Sequence, residues 1–228
     1  MYKITVSEEI KQACPIFRGA AIYAAVANTP FSEGLWEEIK AFTQELRNSE
    51  TTDSIKCQPV ITATREAYKR CGKDPSRYRP SAEALRRRLL RGLNLYQIDT
   101  LVDLINLVSL RTGYSIGGFD ADKIEGFQLE LGIGRTDESF EGIGRGFLNI
   151  EGLPVYRDSV GGIGTPTSDH ERTKMDLNTH HILVIINGYN GLDGLPEAAE
   201  MTQELLRKYA SSDGGSIQYF YEKESSRL

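Results

Sequence analysis

Cysteine is scarce in this 228-residue chain: Cys14, Cys57 and Cys71 stand far apart, and no two of them form a C-x-x-C pair. An odd number of isolated thiols excludes a disulfide framework and a zinc site, and fits a reducing compartment. Histidine is equally thin. His180 and His181 are adjacent, so their side chains leave an extended chain on opposite sides, and His170 stands alone; no metal and no cofactor is expected. Long apolar runs are missing too. The longest, residues 182–186, is far too short to span a bilayer, and residues 1–6 lack the apolar stretch of a signal peptide. These absences predict a soluble, cytoplasmic protein with no membrane partner. Residues 142–146 and 161–164 are glycine-rich, yet neither completes a dinucleotide fingerprint or a phosphate loop, so turns or a close ligand approach are expected there. Ser168, Asp169 and His170 are contiguous, and neighbouring side chains diverge too much to act as a hydrolytic triad.

Positive charge is in the minority, with a net charge of −5, which argues against indiscriminate nucleic-acid binding. It is unevenly spread, however. Between Arg65 and Arg91 ten Lys or Arg face three acids, a local +7 that leaves −12 for the rest. Such a strip, with Arg87, Arg88 and Arg91 as candidate tRNA-binding residues, either holds a phosphate backbone locally or forms a solvated helix face paired with nearby acids.

With 39% apolar residues and no composition break marking a linker, one compact domain over residues 1–228 is expected. Strand-like patterns cover residues 1–6, 16–26, 127–134, 146–149, 153–157, 181–186 and 216–221. Helical spacing covers residues 31–46, with Trp36 in the core, and residues 60–71. A further helix opens at Pro80-Ser81, with Leu85 and Leu89 on one face and Glu83 four residues before Arg87, and ends at Gly92. Asp99 caps the next, which closes near Gly113, and residues 196–209 form the last. The order predicts an α+β fold, with mixed and antiparallel sheets flanked by helices and a closing βαβ unit.

The helix over residues 101–110 has only three polar positions, Asp103, Asn106 and Ser109, three apart and therefore on one narrow stripe. The stripe either faces water or, through Asp103, satisfies backbone amides in the core. The segment Val102-Asp103-Leu104-Ile105-Asn106-Leu107-Val108, followed by Ser115-Ile116-Gly117-Gly118-Phe119-Asp120-Ala121-Asp122-Lys123-Ile124-Glu125-Gly126, resembles the editing and tRNA-binding domain of the phenylalanyl-tRNA synthetase β subunit. In that family a helix V-D-x-x-N-x-V precedes a turn P-x-H-A-F-D-x-D-K-I-x-G at this spacing. The resemblance covers roughly residues 75–190.

The resemblance implies the editing-domain fold and a pocket for the amino acid moiety of an aminoacyl-tRNA. Asn106 takes the place of the family's pocket asparagine. Ile105 replaces its threonine neighbour. The family's histidine falls on Gly117, and in the glycine loop Gly161-Gly162-Ile163, followed by Asp169, the family's glutamate falls on Ile163. Asn106 and Asp169 are thus the candidate catalytic residues, with Asp103, Gly117, Gly161, Gly162 and Ile163 as candidate substrate-binding residues. Backbone N–H groups of Gly161 and Gly162 are candidate donors to a developing oxyanion. A complete phenylalanine-tRNA ligase is not expected, since its other modules do not fit in 228 residues. The expected activity is a freestanding, trans-acting aminoacyl-tRNA deacylase serving translation quality control. The alternative is a noncatalytic module of the same origin that binds tRNA, an amino acid or a protein. Loss of the histidine predicts added room at Gly117, and loss of the glutamate a preference for small or apolar acyl groups over tyrosine.

Overall fold

The computed structural model describes residues 2–221. In chain order these form β1 (Lys3–Val6), α1 (Glu8–Ala13), β2 (Arg18–Ala25), α2 (Glu33–Ser49), α3 (Pro59–Arg70), α4 (Ser81–Leu90), α5 (Thr100–Thr112), β3 (Ile116–Asp120), β4 (Gln128–Ile133), β5 (Glu141–Gly142), β6 (Gly146–Phe147), β7 (Pro154–Arg157), β8 (Gly162–Gly164), β9 (His181–Gly188), α6 (Leu195–Tyr209) and β10 (Ser216–Phe220). The fold is α+β, as the sequence predicts. One sheet, ordered β10-β2-β9-β3, is antiparallel throughout; the second, β1-β4-β7-β8, is mixed, with β1 parallel to β4; β5 and β6 form a separate small hairpin. Because β9 and β10 both run antiparallel to the intervening β2, α6 completes a split βαβ crossover.

The period of two along β9 sorts its side chains into two cores. Ile182, Val184 and Ile186 pack with α5 and α6, whereas Leu183 and Ile185 pack with Leu129, Leu131 and Tyr156 of the second sheet. The antiparallel sheet is therefore a middle layer between helices and the mixed sheet. Cys14 and Cys71, far apart in sequence, meet in the inter-sheet core as free thiols, and donation of the Cys71 S–H to the Cys14 sulfur together with burial pushes the Cys71 thiol up. No described helix is long and apolar enough to cross a membrane.

The strands β5 and β8 are absent from the sequence pattern, the second replacing the turn expected at residues 161–164, and two further features escape it. Ile116–Asp120 is a fully buried edge strand rather than a turn, because its two central glycines let Ile105 and Met175 on one side, and Phe119 on the other, close onto the backbone. The short helix α1 is capped by Ser7, whose hydroxyl accepts the Ile10 N–H, and its single buried residue, Ile10, is too little for a periodicity to reveal.

Candidate functional site

Helix α5 organises the site. Asp99 caps it by accepting the Val102 N–H at 2.9 Å, and Gly113, in the left-handed conformation with φ of 80°, ends it. Leu104, Leu107 and Val108 are buried against the sheet. Each stabilises the packed state by about 1.5–3 kcal/mol, so turning the helix about its axis would expose side chains the chain cannot spare. That rotation, fixed by apolar contacts, leaves Val102, Ile105, Asn106 and Ser109 facing a cavity of about 420 Å³.

The other walls come from far along the chain. Ser81 and Leu85 contribute from α4, Ile116 and Gly118 from β3, Ile143 from the β5–β6 hairpin, and Thr165, Ser168, Asp169, Lys174 and Met175 from the segment after β8. A turn holds Asp169 in place: Thr165 accepts the Ser168 N–H at 3.1 Å, and Gly164 bridges Asp169 across it. The Ile143 N–H donates to the Asp169 carbonyl at 3.0 Å, which lays the hairpin tip over the cavity.

The Asp169 carboxylate receives one protein hydrogen bond, from the Gly118 N–H at 3.0 Å. Burial outweighs that bond and raises its carboxyl to about 7. The carboxylate lies above two glycines. A Cβ at Gly164 would stand 2.8 Å from Oδ1, and one at Gly117 would stand 3.3 Å from Oδ1 and 2.7 Å from the Phe119 ring. Absence of the histidine therefore adds no room, contrary to the expectation from sequence: the space above Gly117 is occupied by Phe119 and Asp169.

The polar stripe of α5 divides. Asn106, half-buried, presents its amide to the cavity. Ser109 also lines it but donates to the Tyr114 carbonyl at 2.7 Å. Asp103 is directed elsewhere and does not line the cavity. Almost fully buried, it accepts the Trp36 indole N–H at 2.7 Å and the Ile98 N–H at 3.2 Å, and burial raises its carboxyl to about 6. Its part is to anchor the chain at Ile98, on the cavity rim.

The glycine loop also stands apart from the cavity. The Gly161 N–H donates to Asp158 Oδ1 at 3.1 Å, Gly162 is packed within β8 against Phe140, and Ile163 is buried in the inter-sheet core. None of the three lines the cavity, because β8 carries them past it and the chain turns back only at Thr165. Ser81, Thr165, Ser168 and Lys174 are the polar wall residues that the sequence does not reveal; they lie outside the motifs, and only chain reversal brings them to Asn106.

The basic strip is largely committed to the fold. Glu83, fully buried in α4, pairs with Arg87 at 2.7 Å, Arg65 at 2.8 Å and Arg79 at 3.5 Å. Buried Arg86 pairs with Glu50 at 2.6 Å. Lys73 donates to the carbonyls of Asn149 and Glu151. Arg87 is therefore a structural partner of Glu83 rather than a free cation, Arg88 lies over the Tyr96 ring, and Arg91 is exposed.

Among curated proteins, none matches the chain. Among solved structures, the chain is similar to an N-terminal fragment of the phenylalanyl-tRNA synthetase β subunit from Pyrococcus horikoshii, at 17% identity and a TM-score of 0.47 over 94% of this chain. The chain spans half the length of that fragment. The model of the B3/4 domain, a domain found in that β subunit, matches residues 63–210, which include both Asn106 and Asp169 and amount to well over half of the sequence, and the chain therefore belongs to the B3/4 domain family.

Proposed function

We propose that this chain, acting as one unit in the cytoplasm, binds aminoacyl-tRNA and hydrolyses a mischarged aminoacyl ester in trans. The observation that carries the reading is the convergence of Asn106 and Asp169 on one largely apolar cavity. An aminoacyl ester is intrinsically labile, so a site gains most by holding it, orienting a water and stabilising the oxyanion. Asp169, raised to about 7, exchanges its proton near neutral pH. As base it takes a proton from water as the oxygen attacks the ester carbonyl carbon; the carbon–oxygen bond to the ribose then breaks, and the proton passes to the ribose oxygen. The Asn106 amide donates to the carbonyl oxygen as negative charge develops there. Ile98, Val102, Ile105, Ile116 and Met175 supply an apolar wall for the acyl side chain. The free thiols fit a reducing compartment.

A second reading, binding of tRNA, an amino acid or a protein without hydrolysis, is favoured by one observation: neither Gly161 nor Gly162 offers an N–H to the cavity, which leaves Asn106 as the principal amide donor. Single-turnover hydrolysis of a panel of aminoacyl-tRNAs separates the two. Turnover that falls in Asn106→Ala and Asp169→Asn supports the deacylase, whereas binding with no release of amino acid from any member supports the binding module.

A further inference from the structure

The connection from α4 to α5 has no regular secondary structure, yet it is held at several points. Arg47 donates to the Leu89 and Leu93 carbonyls, Arg88 to the Asn94 carbonyl at 2.6 Å, Gln97 to the Pro30 carbonyl at 2.6 Å, and the Ile98 N–H to Asp103. A segment fixed this firmly buries Leu95 but exposes three other large apolar side chains. Tyr96 is 67% exposed, Ile98 56% and Leu93 50%. Ile98 lies at the same time in the cavity wall. The Arg88 guanidinium sits 3.9 Å from the centroid of the Tyr96 ring, so one face of the ring is backed by a cation. Residues 84–98 hold four arginines and no acid, on a chain of net charge −5.

We infer that Tyr96, backed by Arg88, is a stacking platform for the unpaired nucleotides next to the ester-bearing end of the RNA. The inference rests on reading the cavity as the ester site. A base offers a flat π surface to the ring, and a flanking phosphate is attracted to exposed Arg91, which unlike Arg86 and Arg87 is in no ion pair among the described residues. Leu93 and Ile98 are exposed beside the ring, but the cation behind it and exposed Arg91 in the same connection favour an anionic, base-bearing partner over an apolar protein face. Ile98 joins the platform to the cavity, so a stacked nucleotide delivers the ester to Asn106 and Asp169. Tyr96 is in this sense a positioning residue. Pre-organisation is what the pinning supplies: the ring need not be ordered when RNA arrives.

The test uses the full chain and uncharged RNA minihelices, one with a single-stranded 3′ tail and one blunt. Tyr96→Ala is expected to weaken the tailed RNA about tenfold, the effect of losing one base stack, with Tyr96→Trp retaining affinity and the blunt helix insensitive to either change. On an aminoacyl-tRNA that the wild type hydrolyses, Tyr96→Ala raises KM with little change in kcat. Unchanged affinity of Tyr96→Ala for the tailed RNA, equal binding of the blunt helix by the wild type, or no RNA binding by the wild type would each overturn the platform. If no ester is hydrolysed but the tail-dependent, Tyr96-dependent binding is found, the deacylase reading falls and the platform stands.

Discussion

The Asp169 carboxylate and the Gly118 amide are joined by a hydrogen bond of 3.0 Å across 51 positions of sequence. It ties the turn after β8 to the edge strand β3 and sets the carboxylate in the same cavity as Asn106. One bond to a neutral amide is weaker support for a charge than the water it replaces, which is why burial prevails and the carboxyl rises from 3.8 to about 7.

That shift has a consequence for stability. Between the unfolded value of 3.8 and about 7 the folded chain keeps a proton that the unfolded chain has lost. The native state then binds more protons, so this group's contribution makes stability fall as pH rises through that window and level off above it. Asp169→Asn should remove the decline, and its melting temperature should gain on the wild type as pH increases towards neutrality. In parallel, wild-type turnover should rise with a single ionisation near 7. Identical pH profiles of melting for the two proteins would show that Asp169 is not perturbed.

Asn106→Ala should cut hydrolysis about tenfold or more, corresponding to a lost charge-stabilising hydrogen bond of roughly 1.5–3 kcal/mol. Its melting temperature should stay close to that of the wild type, because the amide faces the cavity rather than the core. Full activity in the variant would remove Asn106 from the mechanism.

Trp36→Phe should behave in the opposite way. It takes the indole donor from Asp103, whose buried carboxyl then keeps only the Ile98 N–H. A loss of about 1–3 kcal/mol in denaturant titrations is expected, the cost of leaving a buried acceptor unpaired. An unaltered midpoint would mean that Asp103 does not anchor the loop.

Reversing Arg87, Arg88 and Arg91 together would confound binding with folding. Arg87→Glu sets a second carboxylate beside buried Glu83 and should lower the melting temperature. Arg91→Glu leaves the fold intact and should weaken tRNA binding while reducing the salt slope by about one phosphate contact. If Arg91→Glu changes neither affinity nor slope, the basic strip serves only the fold.

For specificity, leucyl-tRNA should be hydrolysed faster than tyrosyl-tRNA, with alanyl- and seryl-tRNA as further comparisons. The reason is the apolar wall of Ile98, Val102, Ile105 and Met175, since a phenol hydroxyl without a partner there costs about 1–3 kcal/mol. Ile163 is not the cause, because it is packed between the sheets. Fastest hydrolysis of the tyrosyl ester would require a hydroxyl partner, with Ser81 or Ser168 as the first to substitute.

Much of the molecule is legible in local pattern. Asp99 and Gly113 bound α5 because capping is settled within a few residues, and the unbroken apolar run of β9 announces a strand buried on both faces. The motif of residues 102–126 identifies the family for the same reason: order and spacing are one-dimensional. Periodicity could place Asp103, Asn106 and Ser109 on one stripe, but not say what each would meet. Tertiary packing decided that Trp36 takes Asp103 and that the cavity takes Asn106. It also decided that Glu83 takes Arg65 besides its local neighbours Arg79 and Arg87, that Cys14 lies against Cys71, and that Asp169 fills the space above Gly117. Each of these is a contact between chain segments whose separation in sequence carries no information about their separation in space. They are fixed only when the apolar faces of the helices and both sheets are buried together, a condition on the whole fold that no local stretch of residues can express.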